Sequence, residues 1–170
     1  MKRFVIAASA LALAGCGQEQ PTANGSEQVP AALNPGEYEV TTLVESLRST
    51  DQTTPGTKAK ADGYAVTHRA CVASDGSVEP AMFSEAGDEC RIENAYARNG
   101  RLTLTLNCTR PGAPGLIAQS VSGTFSADGF ETDVETATYF TGAGDYAMRR
   151  KMSGKKVGLC AAKEDSGKAA

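Results

Sequence analysis

No tryptophan occurs among the 170 residues, and histidine occurs once, at His68. Ser-His or Cys-His catalysis would therefore rest on one imidazole, and no nucleophile or orienting acid is signalled near it. Between Thr67 and Arg69, His68 is expected to be a partly exposed strand residue. His68 and Cys71 have a ligand-like spacing but fall short of the three or four ligands that zinc takes, so no metal or other cofactor is expected. No phosphate-cradling glycine loop is present either, and Gly142-Ala143-Gly144 has the composition of a hairpin turn. The longest apolar run, residues 4–14, is about half of the roughly 20 residues a membrane-spanning helix needs. A basic excess is also missing. The chain has 17 Lys and Arg against 20 Asp and Glu, and without Lys2 and Arg3 it has 15 against 20, a net of about −5 that excludes nucleic acid as a partner.

What is present begins with a leader. Lys2 and Arg3 precede the apolar run, and small residues then lead to a cysteine. Leu13-Ala14-Gly15-Cys16 resembles a bacterial lipobox, which implies cleavage before Cys16, a diacylglycerol thioether on its sulfur and a fatty acyl chain on the freed amine. Multiple chains give lasting attachment at about 0.8 kcal/mol per buried methylene. The expected anchor is thus the membrane of a bacterial cell envelope. Gly17, rather than an aspartate, resembles the signal for the outer membrane, facing the periplasm.

The expected organisation is a leader over residues 1–15, a tether over 16–33, one domain over 34–160 and a polar tail over 161–170. The tether, GQEQPTANGSEQVPAAL after Cys16, holds almost nothing large to bury and would reach about 20–25 Å from the membrane. The 18 glycines and the β-forming runs Glu37-Tyr38-Glu39-Val40-Thr41-Thr42-Leu43-Val44 and Tyr64 to Val72 predict short strands and many turns. A long loop over 51–63 separates those two strands, and residues 79–86 have room for one helical turn.

Five cysteines leave an odd thiol in an exported chain, and lipidation of Cys16 removes it. The other four form an even set suited to disulfides. A three-residue loop Arg98-Asn99-Gly100 would set Ala97 opposite Arg101, Tyr96 opposite Leu102, Asn94 opposite Leu104 and Ile92 opposite Leu106. Cys90 then lands opposite Cys108. This predicts a Cys90–Cys108 bridge and leaves Cys71–Cys160 as the second. Further on, residues 110–115 form a break and Ile117, Val121 and Phe125 share one side of a strand. A two-residue Asp128-Gly129 turn would place Phe125 opposite Thr132 and Val121 opposite Thr136. In that register Phe130, Val134 and Phe140 face inward, while Glu131, Asp133 and Glu135 face water. Tyr146, Met148 and Met152 keep the inward side, and Lys151 opposes Glu135.

From Asn34 to Cys160 the chain resembles a bacterial lipoprotein-like family known as domain of unknown function 3617. The resemblance is carried by Pro35-Gly36-Glu37-Tyr38-Glu39-Val40, by Cys71, Cys90 and Cys108, by Ser122-Gly123-Thr124-Phe125 and by Met152-Ser153-Gly154-Lys155-Lys156-Val157-Gly158-Leu159-Cys160. Tyr38 stands where the family has tryptophan, which keeps an aromatic anchor. The resemblance implies export, a β-rich domain with paired cysteines and no established activity, and it brings no catalytic residues to carry over.

Two surface features remain. Glu37 with Glu39, and Glu131 with Asp133 and Glu135, could support carboxylate-based hydrolysis if they converged with another acid, although alternation with apolar residues is what any half-exposed strand shows. Arg149-Arg150-Lys151 with Lys155 and Lys156 concentrates positive charge that could meet lipid phosphates or an acidic envelope polymer. Alternation sends Arg150 away from Arg149 and Lys151, and Lys155-Lys156 is turn-like. The expected fold is mainly β: a single curved antiparallel sheet or partly closed barrel of six to seven strands, stapled by two disulfides. The expected function is a non-enzymatic envelope lipoprotein that binds an apolar ligand or a protein partner, with a purely structural or stress-related role as the alternative.

Overall fold

The computed structural model describes residues 32–60 and 63–161. The leader, Cys16, the tether up to residue 31 and the tail from residue 162 lie outside the described residues.

Among the described residues the chain forms seven strands: β1 (Gly36–Ser49), β2 (Ala65–Val72), β3 (Glu89–Arg98), β4 (Arg101–Arg110), β5 (Ala113–Phe125), β6 (Gly129–Phe140) and β7 (Tyr146–Gly158). They make one antiparallel sheet in the order β2-β1-β7-β6-β5-β4-β3. Strands β3 to β7 are a meander of successive hairpins, and β1 and β2 are added beside β7. The two edges, β2 and β3, are neighbours in sequence but do not pair, so the sheet is open.

Alternation of side chains gives the sheet one apolar and one polar face. Tyr38, Val40, Leu104, Leu106, Ile117, Val121, Val134 and Met152 point to the inner face and are buried. The connector between the edges, residues 73–88, closes over that face. It starts with an isolated bridge between Val72 and Val78, carries a 3-10 turn at Pro80–Met82, and touches both β2 and β3. Met82 and Phe83 are fully buried, and the Phe83 ring lies 5.5 Å from that of Phe130. At about 1.5–3 kcal/mol for each large apolar side chain removed from water, these two residues hold the connector down. Leu33 is also in the core, so packing begins one residue before the expected boundary. A smaller cluster of Val44, Tyr146 and Met148 fills the other end.

Both predicted disulfides are present, Cys90–Cys108 across β3 and β4 and Cys71–Cys160 between β2 and the segment that follows β7. The path to the first differs from the prediction. The turn is the two-residue Asn99-Gly100, with φ of 52° and 69°, as a type I′ hairpin requires, in place of the predicted three-residue loop. Tyr96 therefore pairs with Thr103, and Ala95 with Leu104. A bulge between Ile92 and Asn94 absorbs the extra residue and restores Ile92 opposite Leu106 and Cys90 opposite Cys108. One residue of offset reverses the faces: Tyr96 is 54% exposed, and Ala95 and Ala97 face inward.

The β5–β6 register differs by two. Phe125 pairs with Phe130 and Val121 with Val134, because the turn centres on Ala127-Asp128 and is closed by the Ser126 amide donating to the Gly129 carbonyl at 2.8 Å. A shift of two leaves every face unchanged, so Phe130 and Val134 are buried and Glu131, Asp133 and Glu135 exposed; Phe140 is half-buried. Lys151 accordingly opposes Asp133, not Glu135, whose partner is Arg149. Strand β7 runs on to Gly158, so Lys155 and Lys156 are in a strand paired with β1 and not in a turn. Likewise β5 starts at Ala113, reducing the predicted break to Pro111-Gly112.

Candidate functional site

The five basic residues singled out in the sequence do not form one patch. Arg149 is 2.6 Å from Glu135 on the outer face, and Lys151 lies between Glu45 at 3.6 Å and Asp133 at 3.7 Å. Lys156 is half-buried and 4.0 Å from Asp128. Lys155 is exposed beside an open outer hollow of about 620 Å³, whose rim includes Glu39, Asp128 and Glu131 and whose floor includes Thr41, Ser153 and Gly154. Of the carboxylate row, only Glu131 reaches that hollow. Asp133 and Glu135 are engaged by the cations of β7, and Glu37 is engaged by Arg69 at 2.6 Å.

Arg150 points the other way and is 3% exposed. Its Nη2 donates to the Phe83 carbonyl at 2.9 Å and lies 3.5 Å from Thr136 Oγ1, while its Nε has no partner among the described residues. Burial lowers its pKa, the nearby Glu85, Tyr146 and Asp88 offset only part of this, and Arg110 adds to the lowering. Among the described residues no carboxylate forms an ion pair with it.

Close by, Arg110 at the end of β4 holds the connector. Its Nε and Nη2 donate to the two Asp88 oxygens at 2.6 and 2.8 Å, and Nη2 also donates to Glu85 Oε2 at 2.7 Å. The Tyr146 hydroxyl donates to the same Glu85 oxygen at 2.6 Å, and the Thr57 hydroxyl donates to Glu85 Oε1. Burial opposes ionisation of Glu85, but the hydrogen bonds from Thr57, Tyr146 and Arg110 outweigh it and hold its pKa below the usual carboxylate range. Burial, and then Glu85 itself, push the Tyr146 hydroxyl up. The two cations stand on the sheet and the two anions on the connector. That division is the main electrostatic feature of the molecule, and a buried pair of this kind is costly to leave half-made.

His68, on β2, is half-buried with its inner-face neighbours, and its Nε2 is unpartnered. Burial lowers its pKa, a hydrogen bond with the Met82 main chain opposes this, and Arg150 lowers it further. Among the described residues, Gln119, 2% exposed on β5, leaves both amide atoms unpartnered, as does Thr132 its hydroxyl. Gln119 is the cross-strand partner of Thr136, on which Arg150 also bears. Alternation within Arg149-Arg150-Lys151 marks the inward turn of Arg150 in the sequence. Glu85 and Asp88 lie in an aperiodic stretch and carry no such signal.

A second opening lies at the opposite end of the inner face. About 180 Å³ in volume and almost wholly apolar, it is bounded by Leu33, Val78, Ile92, Leu102, Leu104 and Phe125, with Ala95 and Ala97 at its lip. Among the described residues no group of three or more His, Cys, Asp or Glu side chains is placed to hold a metal ion.

Fold and cysteines together define a small disulfide-stapled antiparallel β domain with a charged connector folded over its apolar face. Residues 33–160 match the model of the family described as protein of unknown function (DUF3617), and the chain belongs to that family. No curated protein and no solved structure matches it. Tyr38 is fully buried and donates to the carbonyls of Asn34 at 2.9 Å and Ala127 at 3.2 Å. Burial, with Asp128 nearby, pushes its hydroxyl up to about 12.

Proposed function

We propose that the chain is an exported, lipid-anchored envelope protein, attached through Cys16 and facing the periplasm of the outer membrane, that binds an apolar ligand and catalyses no reaction. The observation that carries the binding role is the 180 Å³ apolar opening beside Leu33, where the chain leading from Cys16 enters the domain. An aliphatic void of about 150 Å³ stays dry and accepts a benzene-sized guest, so the opening suits one ring or a stretch of acyl chain. The solvent-facing row of Glu131, Asp133 and Glu135, two of its members paired with cations, supports binding over hydrolysis.

The test has two arms. Replacing Cys16 with Ser should move the protein from the membrane to the soluble fraction of its host, and continued membrane fractionation would remove the anchor. The neutral fluorophore N-phenyl-1-naphthylamine should brighten on binding, and Ala97→Phe, which fills the opening, should abolish the signal. A signal that ignores Ala97→Phe places any binding elsewhere and ends this reading. One observation favours a ligand-free structural role instead: Met82 and Phe83 already fill much of the inner face. That role requires no fluorophore binding at all.

A further inference from the structure

We propose that the inner face is a binding site for a long-chain carboxylate, held shut by the connector 73–88, which itself carries the features of that ligand. This rests on the apolar-ligand reading above and extends it from the opening to the whole row of residues behind.

The row is set by the register. Ala95 pairs with Leu104, Leu104 with Val121, Val121 with Val134, and Val134 with Arg150. All five face inward, the first two at the apolar opening and the last at the buried guanidinium. Four strand steps span about 19 Å, the reach of a long-chain fatty acid. Leu104, Val121 and Val134, which line the path, are apolar and each exposed by 1% or less.

At the far end, the groups that a carboxylate needs lack partners. Two such donors, Arg150 Nε and Gln119 Nε2, are buried and without a partner among the described residues, on either side of Thr136. Buried donors in this state destabilise the fold, and an anionic oxygen would satisfy both of them.

The connector occupies that place with weaker chemistry. Phe83 lays its ring on Phe130 and offers Arg150 a neutral carbonyl, while Glu85 and Asp88 supply carboxylates to Arg110. Lifting the connector removes both anions and leaves Arg110 and Arg150 on the sheet. A fatty carboxylate threading in from the opening would displace Phe83 from Arg150 and replace its carbonyl with a charged acceptor.

Hydrogen exchange of the soluble Cys16→Ser chain tests this. Oleate should accelerate amide exchange over residues 79–88 at least tenfold, whereas oleyl alcohol, with the same chain and a neutral head, should leave it unchanged. Arg150→Met should abolish the oleate response while N-phenyl-1-naphthylamine still binds at the opening. If exchange ignores oleate, or responds equally to the alcohol, the inference is overturned and the apolar-ligand reading stands on its fluorophore result. If neither lipid nor fluorophore binds, both fail.

Discussion

The ring of Phe130 lies against Gly154, its cross-strand partner on β7, so closely that a Cβ there would overlap the ring. Aromatic cover of a strand glycine locks Phe130 under Phe83 and so fixes where the connector rests. Gly154→Ala should destabilise the domain by about 1–3 kcal/mol, the usual cost of overpacking. Thermal unfolding should show a midpoint several degrees lower, and Phe130→Leu should shrink the effect of the same substitution. An unchanged midpoint would mean that Phe130 does not sit on the glycine.

The two disulfides should contribute unequally. On the chain-entropy model, a sequence separation of 18 for Cys90–Cys108 corresponds to about 3 kcal/mol, and one of 89 for Cys71–Cys160 to about 4.5 kcal/mol. Denaturant unfolding of Cys90→Ser/Cys108→Ser and Cys71→Ser/Cys160→Ser chains should rank them in that order. The reverse ranking would place residual structure in the unfolded chain ahead of loop length. Non-reducing peptide mapping should return the same two pairs.

Two glycines in hairpin loops should respond unequally to alanine. Gly100 has φ of 69° in the Asn99-Gly100 turn, where a side chain adds about 1–2 kcal/mol of strain. Gly142 has open space around it and no such φ, so Gly142→Ala should be neutral. Equal effects would show that the β3–β4 turn is not type I′.

Stability should fall with acidification in two stages. His68 has a lowered pKa in the folded state, so as pH drops through about 6.5 the unfolded chain takes up its proton first and folding weakens. Glu85 and Asp51 also have lowered folded pKa values. Asp51 owes this first to hydrogen bonds from Thr53 and then to those from the Gly144 and Asp145 amides. Their contributions are complete above the ordinary carboxylate range, near pH 4, and disappear as pH falls through the folded values. Thermal midpoints measured across pH should show His68→Gln flattening the upper stage and Glu85→Gln the lower one. A single acid transition untouched by His68→Gln would contradict the burial of that ring.

Much of the sheet follows from local pattern. Side-chain direction along a strand has period two, so Phe130, Val134, Met148 and Met152 could be placed inward, and Arg150 apart from Arg149, without knowing any strand's partner. The β5–β6 and β6–β7 registers differ from the sequence reading by two residues and leave those faces untouched. Around Tyr96, an offset of one residue, created by the Asn99-Gly100 turn and cancelled by the bulge after Ile92, exchanges the faces.

The chain alone therefore determined an antiparallel, two-periodic sheet and brought Cys90 near Cys108 in one hairpin, leaving Cys71 to Cys160 by elimination, because alternation and hairpin proximity are properties of neighbouring residues. Only the tertiary structure decided that residues 73–88 fold over the inner face and that Glu85 and Asp88 meet Arg110 there while Phe83 meets Arg150. Those contacts join residues 22 to 67 positions apart, brought together by burial of Met82 and Phe83, and no local periodicity encodes them.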